Sequence, residues 1–135
     1  MVAGVVFTPF YQNLGLGEFD FDTDAFYIAL SNTAPTAATD ADLGDITQIA
    51  NGNGYTTGGA EVENSGITDG VFSGDDVVFT ASGSLGPFRY VILYDNTHAN
   101  DLLVGYWDYG SEVTLALGET FTVDFGAAIL TIASA

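Results

Sequence analysis

The chain has 135 residues and a mass of 14.1 kDa, and it carries 18 Asp and Glu against a single Lys or Arg, for a formal net charge of -17 without any cysteine. One cation cannot neutralise phosphates or hold an anionic membrane, so nucleic acid and membrane surfaces are excluded as partners, and the missing cysteines exclude disulfides, thiolate chemistry and Cys-based zinc sites. With 47% hydrophobic and 13% aromatic residues, the composition is that of a folded single domain and not of a disordered acidic tail.

The opening MVAGVVFTPF has no basic residue ahead of its apolar run, and the run stops at Thr8-Pro9, so neither a targeting signal nor a membrane span is expected. Residues 8–14 predict one short helix, with Thr8 as N-cap, Pro9 in the first helical position and Gly15 as the stop. Residues 1–21 together form an N-terminal arm. Asp20, Asp22 and Asp24 alternate with Phe19 and Phe21, a period that on a strand places three carboxylates on one face. A calcium loop of the EF-hand type starting at Asp20 needs glycine sixth and glutamate twelfth. The chain has Ala25 and Ser31 there, so a solvated face over a buried Phe pair is the favoured reading, with a divalent ion shared in an assembly as the alternative.

Residues 25–30 (AFYIAL) form a continuous apolar run that suits a strand buried on both faces. From 31 to 59 the sequence is rich in Ala, Thr, Asp, Asn and Gly, and only Asp42 to Ile46 hints at a helical turn. A segment of that length without strands predicts an arm or contact loop. Strands are predicted at 60–64, 67–72, 76–81, 88–94, 102–109, 112–117, 119–125 and 129–133, separated by turn chemistry such as Asp69-Gly70, Ser73-Gly74 and Leu117-Gly118-Glu119. In Phe121-Thr122-Val123-Asp124-Phe125 the apolar residues fall on odd numbers, so one face packs inward. The whole predicts a mainly β chain, a single-domain antiparallel β-sandwich of jelly-roll type over residues 1–135.

Chemistry-bearing residues are few. The only histidine, His98, lies in a polar loop with no serine or cysteine in nucleophile pattern, and there is no lysine, so no enzyme, cofactor or metal is expected. Acids at Asp40, Asp42, Asp45, Asp75 and Asp76 sit beside turn glycines, where Asp ordinarily bonds local backbone. The group Tyr106-Trp107-Asp108-Tyr109 admits a sugar-stacking reading, although a core or protein-contact role is the simpler one. Arg89, in an otherwise apolar stretch, is expected to pair with an acid, within the chain or across a subunit boundary.

Ordered along the chain are Tyr27-Ile28-Ala29-Leu30 after an Asp-Thr-Asp lead-in, then Ile67-Thr68-Asp69-Gly70-Val71-Phe72-Ser73-Gly74-Asp75-Asp76-Val77-Val78-Phe79, then Val91-Ile92-Leu93-Tyr94-Asp95 and Leu103-Val104-Gly105-Tyr106-Trp107-Asp108. In this order they resemble a family of small tailed-phage head decoration, or capsid cement, proteins, whose members carry "DTIKVAL"-, "T-DG-F-ADDVTF"-, "VIYKD"- and "LIGYVDFG"-like segments. The resemblance covers most of the chain and rests on order more than on any one segment. The family's lysine before Asp is missing, since Tyr94 is followed directly by Asp95 and Asn96, so its charge contacts are not carried over. What the resemblance implies is a structural virion protein on the outer capsid surface that ties major capsid protein subunits together, as a homotrimer first and a dimer second. The expected contacts are the arm and the 31–59 loop, through Phe7, Phe10, Tyr11, Pro35, Leu43, Ile46 and Tyr55, together with Arg89 and Trp107. The other readings are a phage tail-tip or fibre adhesin holding a host glycan through Trp107, and a secreted carbohydrate-binding module.

Overall fold

The structure, a computed structural model, describes residues 4–132. Its elements in chain order are β1 (Val5–Val6), α1 (Thr8–Gly15), β2 (Phe26–Ser31), a 3-10 turn (Leu43–Asp45), β3 (Ala60–Glu61), β4 (Gly66–Thr68), β5 (Val71–Ser73), β6 (Val77–Thr80), β7 (Leu85–Asp95), β8 (Leu103–Leu115), β9 (Thr120–Val123) and β10 (Leu130–Thr131). The chain is mainly β with one short helix, and every strand pairing is antiparallel.

The apolar run at 25–30 becomes an inner strand, between β7 and β3, of a five-stranded sheet ordered β1-β8-β7-β2-β3. Phe26, Ile28, Ala29 and Leu30 all have 0% exposure, which is why the run does not alternate: both faces of β2 are covered. Two smaller sheets, β10-β5-β4 and β6-β9, complete the packing through aromatic rings. Phe72 of β5 lies 4.8 Å from Phe26 and 4.9 Å from Phe21, and Phe121 of β9 meets Phe88 of β7 edge-on at 4.9 Å. These rings join the sheets across one core in the manner of a β-sandwich.

Several local expectations are corrected. Phe7, not Thr8, is the N-cap of α1, with no side-chain cap. The N–H groups at this end are satisfied instead by neighbouring backbone: Phe7 N donates to Val104 O at 3.1 Å and Thr8 N to Ala37 O at 2.8 Å. The helix runs through Gly15 to a C-cap at Leu16. Residues 67–72 are not one strand but the hairpin β4–β5. Its turn residues Asp69 and Gly70 have φ of 52° and 80°, the left-handed pair that a two-residue hairpin loop requires. Conversely, 102–109 and 112–117 are one continuous strand, β8, paired with β7 through three register irregularities. The end of the expected 129–133 strand, at Ala133, and the first three residues of the arm lie outside the described residues.

The 31–59 segment is the largest departure, because it is packed and not a free loop. Isolated bridges join Ser31 to Gln48 and Asp42 to Leu102, and the 3-10 turn carries a reciprocal capping box between Asp42 and Asp45. Tyr55 anchors its far end at 2% exposure. The Tyr55 hydroxyl donates to Gln48 Oε1 at 2.6 Å and accepts Leu30 N–H at 3.2 Å. Burial pushes that hydroxyl up to about 12, so it stays a donor throughout the ordinary pH range.

Candidate functional site

The residues nominated from sequence separate into core, turn caps and surface. Phe7, Phe10 and Tyr55 are buried at 2% exposure or less and Ile46 at 9%. Expected at contacts, they are instead core residues, because β1, α1 and the 31–59 segment fold back onto the large sheet and take their aromatic and aliphatic side chains with them. Phe10 sits 4.9 Å from Phe19 and Phe7 5.3 Å from Tyr106. Pro35 and Leu43 are half-buried. Of the nominated arm and loop residues, Tyr11 alone is well exposed, at 61%.

Asp20, Asp22 and Asp24 do not share a strand face. They occupy a hydrogen-bonded turn in which Asp20 Oδ1 accepts N–H bonds from Asp22 (3.0 Å) and Thr23 (3.2 Å), and Asp24 Oδ2 accepts the Asp20 N–H (3.0 Å). Bonds from Thr23 and from the backbone hold the Asp20 carboxyl below its ordinary value. Among the described residues no three His, Cys, Asp or Glu side chains gather in a way that would hold a metal. The other turn acids behave similarly: Asp40 accepts from Thr36 N, Asp45 from Ala41 N, and Asp76 from Phe125 N. His98 has both ring nitrogens committed, Nε2 to Glu18 Oε2 at 2.8 Å and Nδ1 to Asn100 N–H at 3.0 Å.

Arg89 finds its partner within the chain. On adjacent strands, its Nε and Nη2 donate to Asp108 Oδ1 and Oδ2 at 2.8 and 3.1 Å, a bidentate fork, and the guanidinium carbon lies 5.6 Å from the Tyr90 ring centre. Asp108 also accepts Gly110 N–H, and the Arg89 hydrogen bonds hold its carboxyl below the ordinary range. Both side chains are about 40% exposed, where water and salt weaken such pairs. Arg89→Met should therefore leave the fold intact with a small drop in melting temperature and let the Asp108 carboxyl titrate upward, as read by carbon NMR. An unmoved Asp108 titration would show the fork to be absent in solution.

Trp107 is not a free stacking platform. Its ring packs 5.8 Å from Phe125, and the backbone of Gly4 lies so close that a Cβ there would come within 2.8 Å of Trp107 Nε1. With Val5, Val6, Tyr106, Ile129 and Leu130 it lines an apolar groove of about 170 Å³, narrower than the pockets that enclose most small ligands.

What sequence reasoning missed is the set of apolar side chains left in water at Val5 (42%), Leu16 (63%), Val78 (53%) and Leu117 (76%), whereas Tyr109, read from the sequence as core or contact, is 50% exposed. Leu16 and Leu117 are each followed by a glycine, at the end of α1 and at the turn before β9, so a large apolar residue next to a turn glycine was the available signal. Val5, Tyr11 and Leu16 fall within the first 16 residues, which makes the arm the best candidate contact surface. No family model, curated protein or solved structure matches this chain.

Proposed function

We propose that this chain is an outer-capsid decoration protein of a tailed phage, binding across the seams between major capsid protein subunits. The observation that carries the reading is the exposed apolar set of the N-terminal arm, Val5, Tyr11 and Leu16, three such side chains within one short segment of a strongly acidic chain. Leaving such side chains in water has a cost that docking against a partner removes. The ordered segments resembling capsid cement proteins add to this, and the antiparallel sandwich suits a static binding role. Each copy would contribute a modest contact, and many copies on one shell act together against internal pressure. Threefold capsid axes favour a trimer and twofold axes a dimer. The charge supports a position outside the shell, since packaged DNA would repel it.

Tyr11→Asp and Leu16→Asp should release the protein from capsids while changing its own stability by no more than about 0.5 kcal/mol, as for other exposed positions. Particles that lose it should remain assembled but break at lower temperature. A virion protein inventory without the chain, or binding that survives both substitutions, would overturn the reading.

A further inference from the structure

All but one of the 18 acidic side chains are exposed or half-buried. The exception, Asp95 at the end of β7, has 0% exposure. Its Oδ1 accepts N–H bonds from Thr97 at 2.9 Å and His98 at 3.3 Å, whereas its Oδ2 is shut from solvent with no donor facing it. A buried carboxylate oxygen without a partner is costly and calls for an explanation. The neighbouring side chain that bears on it is another acid, Asp24. It comes from the turn 20–24, which is strapped to the loop after β7 by two further bonds: Asn96 N donates to Ala25 O at 2.9 Å, and Ala25 N donates to Thr97 Oγ1 at 2.7 Å.

Two neighbouring carboxylates, one of them fully buried, strongly disfavour both being charged. The chain has no lysine, and its one arginine is engaged with Asp108. We propose that Asp24 and Asp95 hold a single proton between them below neutral pH, forming an O–H···O latch that fastens the turn 20–24 to the loop after β7. Burial first, and the Asp24 carboxyl second, push Asp95 up to about 7. The surroundings offer no competing cation. Phe26, opposite Asp95 on β2, is apolar. His98 on the loop turns its ring to Glu18, and Asp101 is itself pushed up, by burial and then by Asp42.

The sign of the pH dependence follows. The native state binds this proton more tightly than the unfolded chain, so its contribution is fully present below the ordinary Asp range and is lost as pH rises through about 7. Asp95→Asn locks the latch, because its amide oxygen still accepts from Thr97 and His98 while its NH₂ donates to Asp24. In urea unfolding at fixed salt, this variant's folding constant should gain on the wild type by up to about tenfold per pH unit, on the order of 100-fold between pH 5 and 7. Asp24→Asn should behave alike from the other side, which keeps the test open if one variant misfolds. A His98→Gln background removes the imidazole from the comparison. A variant-to-wild-type ratio independent of pH would overturn the latch. So would calcium chloride stabilising the wild type at pH 8 but not Asp95→Asn, which would assign the pair to a cation. Both readouts use the isolated chain, so they stand apart from the capsid reading.

Discussion

Moving this protein from 0.01 M to 1 M potassium chloride should stabilise it by several kcal/mol and raise its urea midpoint steadily. At a charge of -17 on an accessible surface of 6690 Å², hence a radius of about 23 Å, screened Coulomb repulsion amounts to roughly 15 kcal/mol at the lower salt and about 3 kcal/mol at the higher. The unfolded coil, about twice as wide, sheds only about 4 kcal/mol over the same range. The difference, at most about 8 kcal/mol, is comparable to the whole stability of a small domain, typically about 5–15 kcal/mol. Salt thus moves from a detail to a main determinant of folding, because the chain has one strong cation to offset 18 acids. Urea, being uncharged, is the denaturant that isolates the effect. A midpoint that stays flat across the salt series would remove charge repulsion from the account.

Gly59→Ala is expected to be the most damaging single methyl group in the chain. Gly59 has φ of +82°, and a Cβ there would collide with the Ile28 carbonyl oxygen. That carbonyl belongs to β2, an inner strand held between β7 and β3, so neither partner has room to move. Left-handed backbone costs an alanine about 1–2 kcal/mol, and displacing a packed strand adds about 1–3 kcal/mol. A loss of about 2–5 kcal/mol, or roughly 10 °C or more in melting temperature for a domain this size, should follow. Gly15→Ala is the control: nothing lies within 4 Å of its Cβ position and its φ is not left-handed, so helix propensity should leave stability equal or up to about 1 kcal/mol higher. Equal melting temperatures for the two variants would contradict the close approach of the 31–59 segment to β2.

How much of this was legible in the chain follows from the range of the interactions involved. The strand at 25–30 was readable because burial on both faces leaves an unbroken apolar run, and the turn at Asp69-Gly70 because left-handed backbone selects residue types. The fate of the 31–59 segment was not readable. Its anchors, Tyr55 and Ile46, are isolated apolar residues in polar surroundings, and only the sheet they pack against reveals them as core. The alternating acids at 20–24 misled for a related reason: period two is equally compatible with a strand and with a turn in which the Asp24 carboxylate accepts the Asp20 N–H and the Asp20 carboxylate accepts those of Asp22 and Thr23. Expected contact residues such as Phe7 and Phe10 failed as contacts because an apolar side chain in an arm has the same composition whether the arm reaches outward or folds home.

By itself, then, the sequence determined what depends on composition and short-range pattern: a folded, mainly β, strongly acidic domain with one short N-terminal helix and a single strong cation. Only the tertiary structure decided what depends on partners distant along the chain. It gave Arg89 to Asp108, 19 residues away, it left Tyr11 and Leu16 outside while taking Phe10 in, and it set Asp24 against Asp95. A charge acts at long range and can be counted, whereas a contact is made between particular atoms and exists only once the chain has closed upon itself.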